Sequence, residues 1–122
     1  MVVGIGVDLQ SHSEMDLPMD DPFMQKAFTE AERSEAMGRA DRLSYLAGRF
    51  AAKEAAVKAL GVDTDRIRLN EIETLDDAYG VPHIALSGAI ARIASEGGAI
   101  EPPLVSISHK DGISVAMVVL QD

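Results

Sequence analysis

The run Gly48-Arg49-Phe50-Ala51-Ala52-Lys53-Glu54-Ala55-Ala56-Val57-Lys58-Ala59-Leu60-Gly61 narrows the possible folds more than any other part of this chain. It predicts a helix that begins near Asp41 and stops at Gly61, a residue suited to a left-handed C-terminal cap. At about 100° per residue, Leu43, Leu46, Phe50, Val57 and Leu60 fall on one apolar stripe. The other side carries Ser44, Gly48, Ala51, Ala52, Ala55 and Ala59, so neighbours can approach closely there too. A helix that is apolar or small nearly all round is buried. Lys53 and Glu54 nevertheless project from the stripe or its edge. Charges in such a place must be paired, metal-bound or turned to a polar cavity.

The rest of the composition sets the frame for that helix. A chain of 122 residues has room for one core, so residues 1–122 are expected to form a single domain. With no cysteine, disulfides, thiolate metal sites and a Cys nucleophile are excluded. The formal net charge of −9 argues against a nucleic-acid or membrane-surface binder. Nine of the eleven basic residues nonetheless lie between Lys26 and Arg68, with Arg66 among them, so a small polyanion could be held locally. No basic segment followed by an apolar one opens the chain, and no apolar run reaches transmembrane length, so cytoplasmic residence is expected.

Val2 to Leu9 alternates strictly and predicts a strand. Val3, Ile5, Val7 and Leu9 are expected to face the core, and Gly4, Gly6 and Asp8 the other side. His12 to Asp21 predicts a short helix or turn and then a loop through Pro22. Thr29-Glu30-Ala31-Glu32 is a capping box that should start a helix towards Met37. Val62 to Arg66 is a polar loop. Leu69–Leu75 and His83–Leu86 predict strands separated by a turn at Asp76–Gly80. Ser87 should cap a helix through Ser95 that ends at Gly97-Gly98. Leu104–Ser108 and Ile113–Leu120 predict the last two strands, joined by a turn at His109-Lys110-Asp111-Gly112. The fold class is α+β, a mainly antiparallel sheet packed on a long central helix.

Which of these residues carry chemistry? Asp8, at a strand end beside two glycines, suits Mg²⁺ coordination with room for a ligand's phosphates. Read alone, it serves as well as an N-cap. Gly4-Ile5-Gly6 has no third glycine and sits within a strand, and no P-loop occurs, which removes the common nucleotide loops. Glu54 and Lys58 stand at i and i+4, a spacing that most often makes only a surface ion pair. Here Glu54 lies about 40° from Phe50 around the helix, and Lys58 about 40° further on. The pair therefore stands at the border of the core, with Arg49 and Lys53 as a second row on the far border. One carboxylate among three cations suits a metal-bound diphosphate. His109, between Ser108 and Lys110, suits a phosphate monoester or a plain solvated turn. His12 and His83 read as solvated. Met15, Met19, Met24 and Met37 read as core and interface fillers.

Three segments in order, Gly4-Ile5-Gly6-Val7-Asp8, the Gly48–Gly61 run and Val105-Ser106-Ile107-Ser108-His109, resemble the holo-[acyl-carrier-protein] synthases, the small bacterial 4′-phosphopantetheinyl transferase family. The resemblance spans nearly the whole chain, and its central motif is the specific one. It implies transfer of the phosphopantetheine arm of coenzyme A to a serine of apo acyl carrier protein, in support of fatty acid biosynthesis. It further implies that Asp8 and Glu54 bind Mg²⁺ and that Glu54 helps deprotonate the serine. Lys58 would neutralise the α-phosphate of the leaving group. Arg49, Ser108 and His109 would hold the nucleotide end, with Lys53 and Lys110 as neighbours. Family members of this size are trimers with each site at a subunit interface, which would explain a helix without a solvated face.

One position departs from the pattern. Members carry a basic residue shortly after the first motif that grips the acidic carrier protein; here the position is Glu14, amid Asp16, Asp20 and Asp21. The carrier is therefore left open between a discrete protein and a domain of a larger synthase, with Lys26, Arg33 or Arg39 as alternative contacts. Donor breadth among acyl-coenzyme A species, and Mg²⁺ against Mn²⁺, are open as well. Two other readings keep the fold. One is a non-catalytic module that binds coenzyme A or the carrier; the other is a trimer whose buried charges only join subunits.

Overall fold

The computed structural model describes every residue except Thr64 and Arg66, so part of the expected Val62–Arg66 loop, and the cation at 66, lie outside the described residues. The elements are β1 (Val2–Ser11), a 3₁₀ turn (His12–Met15), α1 (Pro22–Ala27), α2 (Glu30–Met37) and α3 (Arg42–Leu60). A 3₁₀ turn (Leu69–Glu71), β2 (Ile72–Asp76), β3 (Pro82–Leu86), α4 (Gly88–Glu96), β4 (Leu104–Lys110) and β5 (Ile113–Gln121) follow. The class is α+β, as expected. An antiparallel sheet in the order β1-β5-β4 lies against α3, and β2-β3 forms a separate antiparallel pair.

Local chemistry explains most boundaries. The Thr29 hydroxyl accepts from the Glu32 amide at 3.2 Å while Glu32 Oε1 accepts from the Thr29 amide at 2.8 Å, so the capping box forms. Gly61 ends α3 in the left-handed conformation. Helix α1 was not expected. Pro22 occupies its first turn and Asp21 caps it by accepting from the Phe23 amide at 2.9 Å, so the proline starts a helix rather than extending a loop. His109 and Lys110 are also displaced from expectation. They pair with Ser114 and Ile113 inside the β4–β5 ladder, and the turn contracts to Asp111-Gly112, both at positive φ.

The largest correction concerns β1. Its apolar side is exposed, Ile5 at 64% and Leu9 at 67%, and its glycine side packs on α3. A Cβ on Gly6 would stand 1.9 Å from the Ala55 carbonyl oxygen, and one on Gly4 would stand 2.2 Å from that of Ala59. Backbone meets backbone there, which only glycine permits. The small residues of α3 and the glycines of β1 are thus two halves of one contact. On the same inner face β5 contributes Ala116, Val118 and Leu120, and these join Ala52, Ala55 and Ala56 in one core. A second core of Met15, Met24, Phe28, Ala36 and Leu46 joins α1 and α2 to the N-terminal half of α3.

Candidate active site

Register decides which side chains reach α3. Asp8 pairs with Ala116, and Ala116 with Ile107; Gln10 pairs with Ser114, and Ser114 with His109. Strand side chains alternate between faces, so Asp8, Gln10, Ser114, Ala116, Ile107 and His109 all lie on the inner face. Ser108 and Lys110 lie on the outer face with Val7, Leu9 and Met117.

Asp8 meets α3 beside Lys58, whose ammonium donates to Asp8 Oδ1 at 3.1 Å and to the Val7 carbonyl at 3.0 Å. Lys58 is 56% exposed in its side chain and Asp8 19%. An ammonium has three donors, so one remains for another acceptor. Glu54 stands one turn earlier on the same flank. Burial, and then the Asp8 carboxylate, raise its pKa above the ordinary 4.5, against a smaller opposing effect of Lys58. Two carboxylates within electrostatic reach of each other share one lysine, which leaves negative charge uncompensated. That imbalance, with an all-oxygen donor set, fits a hard divalent cation. No cluster of three or more His, Cys, Asp or Glu able to hold a metal occurs among the described residues. Mg²⁺ needs no such cluster, since one or two carboxylates with phosphate and water complete its shell.

Lys53, expected near the nucleotide, is elsewhere. It is wholly buried, as is Glu32, and its ammonium contacts Glu32 Oε1 at 2.7 Å. It also donates to the Leu69 carbonyl at 3.1 Å and to the Ile72 carbonyl. All three donors are spent inside the protein. Glu32 in turn accepts from the Thr74 amide at 2.8 Å, so the pair binds α2, α3 and β2 together. Burial pulls the Lys53 pKa down and Glu32 opposes that pull. The expected role is corrected on this ground: no valence of Lys53 is left for a ligand.

Arg49 lies about 140° around α3 from Glu54. It is 4% exposed, forms an ion pair with Asp76 and stacks on the Tyr45 ring with Cζ 4.2 Å from the centroid. Arg49, Tyr45, Asp76, Arg39, Ile107 and His109 line a cleft of about 250 Å³. Arg49 Nε and the Tyr45 hydroxyl are buried without a partner among the described residues. Unpaired buried donors are costly, so this side of α3 keeps hydrogen-bonding capacity unspent. A Cβ on Gly48 would lie 2.9 Å from His109 Cε1, so the glycine of the central motif is what lets the imidazole reach the cleft.

The structure therefore gathers the expected residues into two groups on different flanks of α3. Asp8, Glu54 and Lys58 form one; Arg49 and His109 form the other. Ser108 and Lys110 face outward, and Lys53 belongs to the core. Four contributors escaped the sequence reading: Glu32, Asp76, Ser114 and His12. Ser114 Oγ lies 2.6 Å from His109 Nδ1 and 2.8 Å from His12 Nε2, so His12 is not merely solvated. His83 pairs with Asp77 at 2.9 Å. Only Glu32 had a sequence signal, as the acidic end of the capping box.

Comparison with known proteins identifies the family and its fold. The model of the 4′-phosphopantetheinyl transferase superfamily matches residues 4–110. The holo-[acyl-carrier-protein] synthase of Trichlorobacter lovleyi is 39% identical over 99% of this chain and 98% of its own. The crystal structure of the holo-[acyl-carrier-protein] synthase from Neisseria meningitidis superimposes with a TM-score of 0.85 at 30% identity, covering 100% of both chains. An ACPS–CoA complex from Chronobacterium ammoniagenes gives a TM-score of 0.81 at 30% identity over 97% of this chain and 96% of that one. With the family pattern carried along nearly all of its length and the same fold in its solved relatives, the chain belongs to the 4′-phosphopantetheinyl transferase superfamily.

Proposed function

We propose that this chain, residues 1–122 as a single transferase domain, is a holo-[acyl-carrier-protein] synthase that moves the 4′-phosphopantetheine group of coenzyme A to a serine of an apo acyl carrier protein. The observation that carries the reading is the meeting of Asp8 with Glu54 and Lys58, across some fifty residues of sequence, on one flank of α3. In the reaction the serine oxygen forms a bond to the phosphorus that bears the pantetheine arm. The diphosphate bridge breaks, and adenosine 3′,5′-bisphosphate leaves. Glu54 takes the serine proton, directly or through a bound water. The uncommitted donor of Lys58 meets the α-phosphate as charge builds on the leaving oxygen. Arg49 and His109 hold the nucleotide end, and Arg49 suits it by its planar fork. Asp8 and Glu54 would hold Mg²⁺, which when bound supplies Lewis-acid polarisation of the diphosphate.

The same geometry supports a homotrimer. The two groups of site residues lie on different flanks of α3, so one chain does not bring them together. The outer sheet face, with Ile5, Val7, Leu9 and Met117 exposed, supports packing against a second copy, and it carries Ser108 and Lys110 to that boundary. Each site would join Asp8, Glu54 and Lys58 of one copy to Arg49 and His109 of another. Cytoplasmic residence and a place in fatty acid biosynthesis belong to this reading; among the described residues no helix is long and apolar enough to cross a membrane.

Incubation with coenzyme A, Mg²⁺ and the host's apo carrier proteins tests the reading by intact mass. A gain of one phosphopantetheine on a carrier is expected. Tight Mg²⁺-dependent coenzyme binding without any mass gain would instead identify a non-catalytic binding module. Light scattering tests the trimer, and a monomer at working concentration would remove it.

A further inference from the structure

The inner face of the sheet holds a hydrogen-bonded chain of which the reaction above uses only His109. Ser114 is wholly buried on β5, with His109 across from it on β4. His12 opens the 3₁₀ turn after β1, and its amide donates to the Gly112 carbonyl at 2.9 Å, which ties that turn to the β4–β5 hairpin. Ser114 Oγ thus sits between His109 Nδ1 at 2.6 Å and His12 Nε2 at 2.8 Å, and the two rings meet edge to face at 5.8 Å.

A hydroxyl has one proton to give and two lone pairs. Ser114 therefore donates to one imidazole and accepts from the other, and the two rings must take complementary proton positions on the facing nitrogens. If both rings were charged, the Ser114 proton would have no acceptor in a buried place, and two cations would face each other. The chain thus admits one positive charge for the pair. A doubly protonated His109 donates from Nδ1 to Ser114, Ser114 donates to His12 Nε2, and His109 Nε2–H is left to meet an anion.

Other groups around His109 oppose that charge until a ligand arrives. Burial, His12 and Arg49 hold its pKa below the ordinary 6.5; Asp41 works the other way and Arg39 adds to the lowering. A phosphate dianion in the cleft reverses the balance, because opposite charge at close range favours the protonated ring.

We propose that His12 and Ser114 are positioning residues that set the orientation and proton position of His109, so that coenzyme binding draws one proton from solvent onto the His12–Ser114–His109 chain. The proposal rests on the reading that His109 faces a phosphate of the coenzyme.

The test uses the intact protein with Mg²⁺ and adenosine 3′,5′-bisphosphate, titrated calorimetrically in buffers of different ionisation enthalpy across about pH 6 to 8.5. Wild type is expected to take up close to one proton near the upper end, with affinity weakening as pH rises. Ser114→Ala and His12→Leu are expected to lose most of that uptake. Both should also raise the KM for coenzyme A about tenfold, the scale of one hydrogen bond to a charged group, with a smaller change in kcat. Ser114→Thr, which keeps the hydroxyl, should restore both. His12 is partly exposed, so its variant keeps the test open if Ser114→Ala does not fold. Wild-type uptake and KM in both variants, with binding weakened by His109→Ala, would overturn the proposal alone. Unchanged binding in His109→Ala would overturn the reading of the cleft and the proposal with it.

Discussion

Lys53 and Lys58 stand five residues apart on one helix, each beside a carboxylate, and they do opposite work. Lys53 is wholly buried with all three donors spent on Glu32 and two carbonyls. Lys58 is mostly exposed, spends two donors on Asp8 and Val7, and keeps one. The first pair has no free valence and holds three elements in register. The second is held too loosely to stabilise much, and for that reason it can act on a ligand. Unspent hydrogen-bonding capacity together with exposure, rather than charge, separates the residue that builds the fold from the one still free to meet a ligand.

Breaking the buried pair should give the largest effect. Glu32→Ala leaves the buried Lys53 without its carboxylate, and denaturant titration should show a loss of about 3–5 kcal/mol. A loss under about 1 kcal/mol would mean that the pair is not the support described. Next comes Glu54→Gln, expected to lower kcat by about 10²–10⁴-fold as a general base is lost, with no fall in thermal stability, because a half-buried carboxylate facing Asp8 is removed. Full turnover would take Glu54 out of the chemistry.

Lys58→Ala sharpens the comparison directly. Turnover should fall about 10²-fold, while stability moves by no more than about 0.5 kcal/mol. A stability loss matching that of Glu32→Ala would erase the distinction between the two lysines. The smallest effect is a pH dependence. Burial first, then His12 and Arg49, hold His109 below its ordinary value of 6.5. The folded state therefore binds that proton less well than the unfolded one. The stability so contributed is present above 6.5 and is lost as pH falls through the lower folded value. Melting curves between about pH 7.5 and 5 should fall less steeply for His109→Gln than for wild type; parallel curves would count against a depressed imidazole.

Much of this was legible in advance because it depends on local rules. The capping box at Thr29–Glu32, the end of α3 at Gly61 and the alternation of β4 and β5 each follow from a few adjacent residues. Helix α1 escaped because Pro22 reads equally as a breaker and as a first-turn residue, and the Asp21 cap decides between them. The face of β1 was read backwards. Alternation tells that a strand has two faces and not which one meets the core, and the glycine side won because only it lets the α3 backbone come so close. Asp8, Glu54 and Lys58 were singled out individually, whereas the outward turn of Ser108 and the core position of Lys53 were not. Strand register and a distant carboxylate decided those.

The sequence by itself determined most of the elements, the family pattern and the acids and cations worth suspecting, since periodicity, caps and motif residues are properties of neighbours along the chain. Tertiary structure alone decided which lysine is spent and which is available, which face of β1 is covered, and that one buried serine joins two histidines. Those outcomes depend on which groups far apart in sequence come within a hydrogen bond's length, and no local pattern encodes that distance.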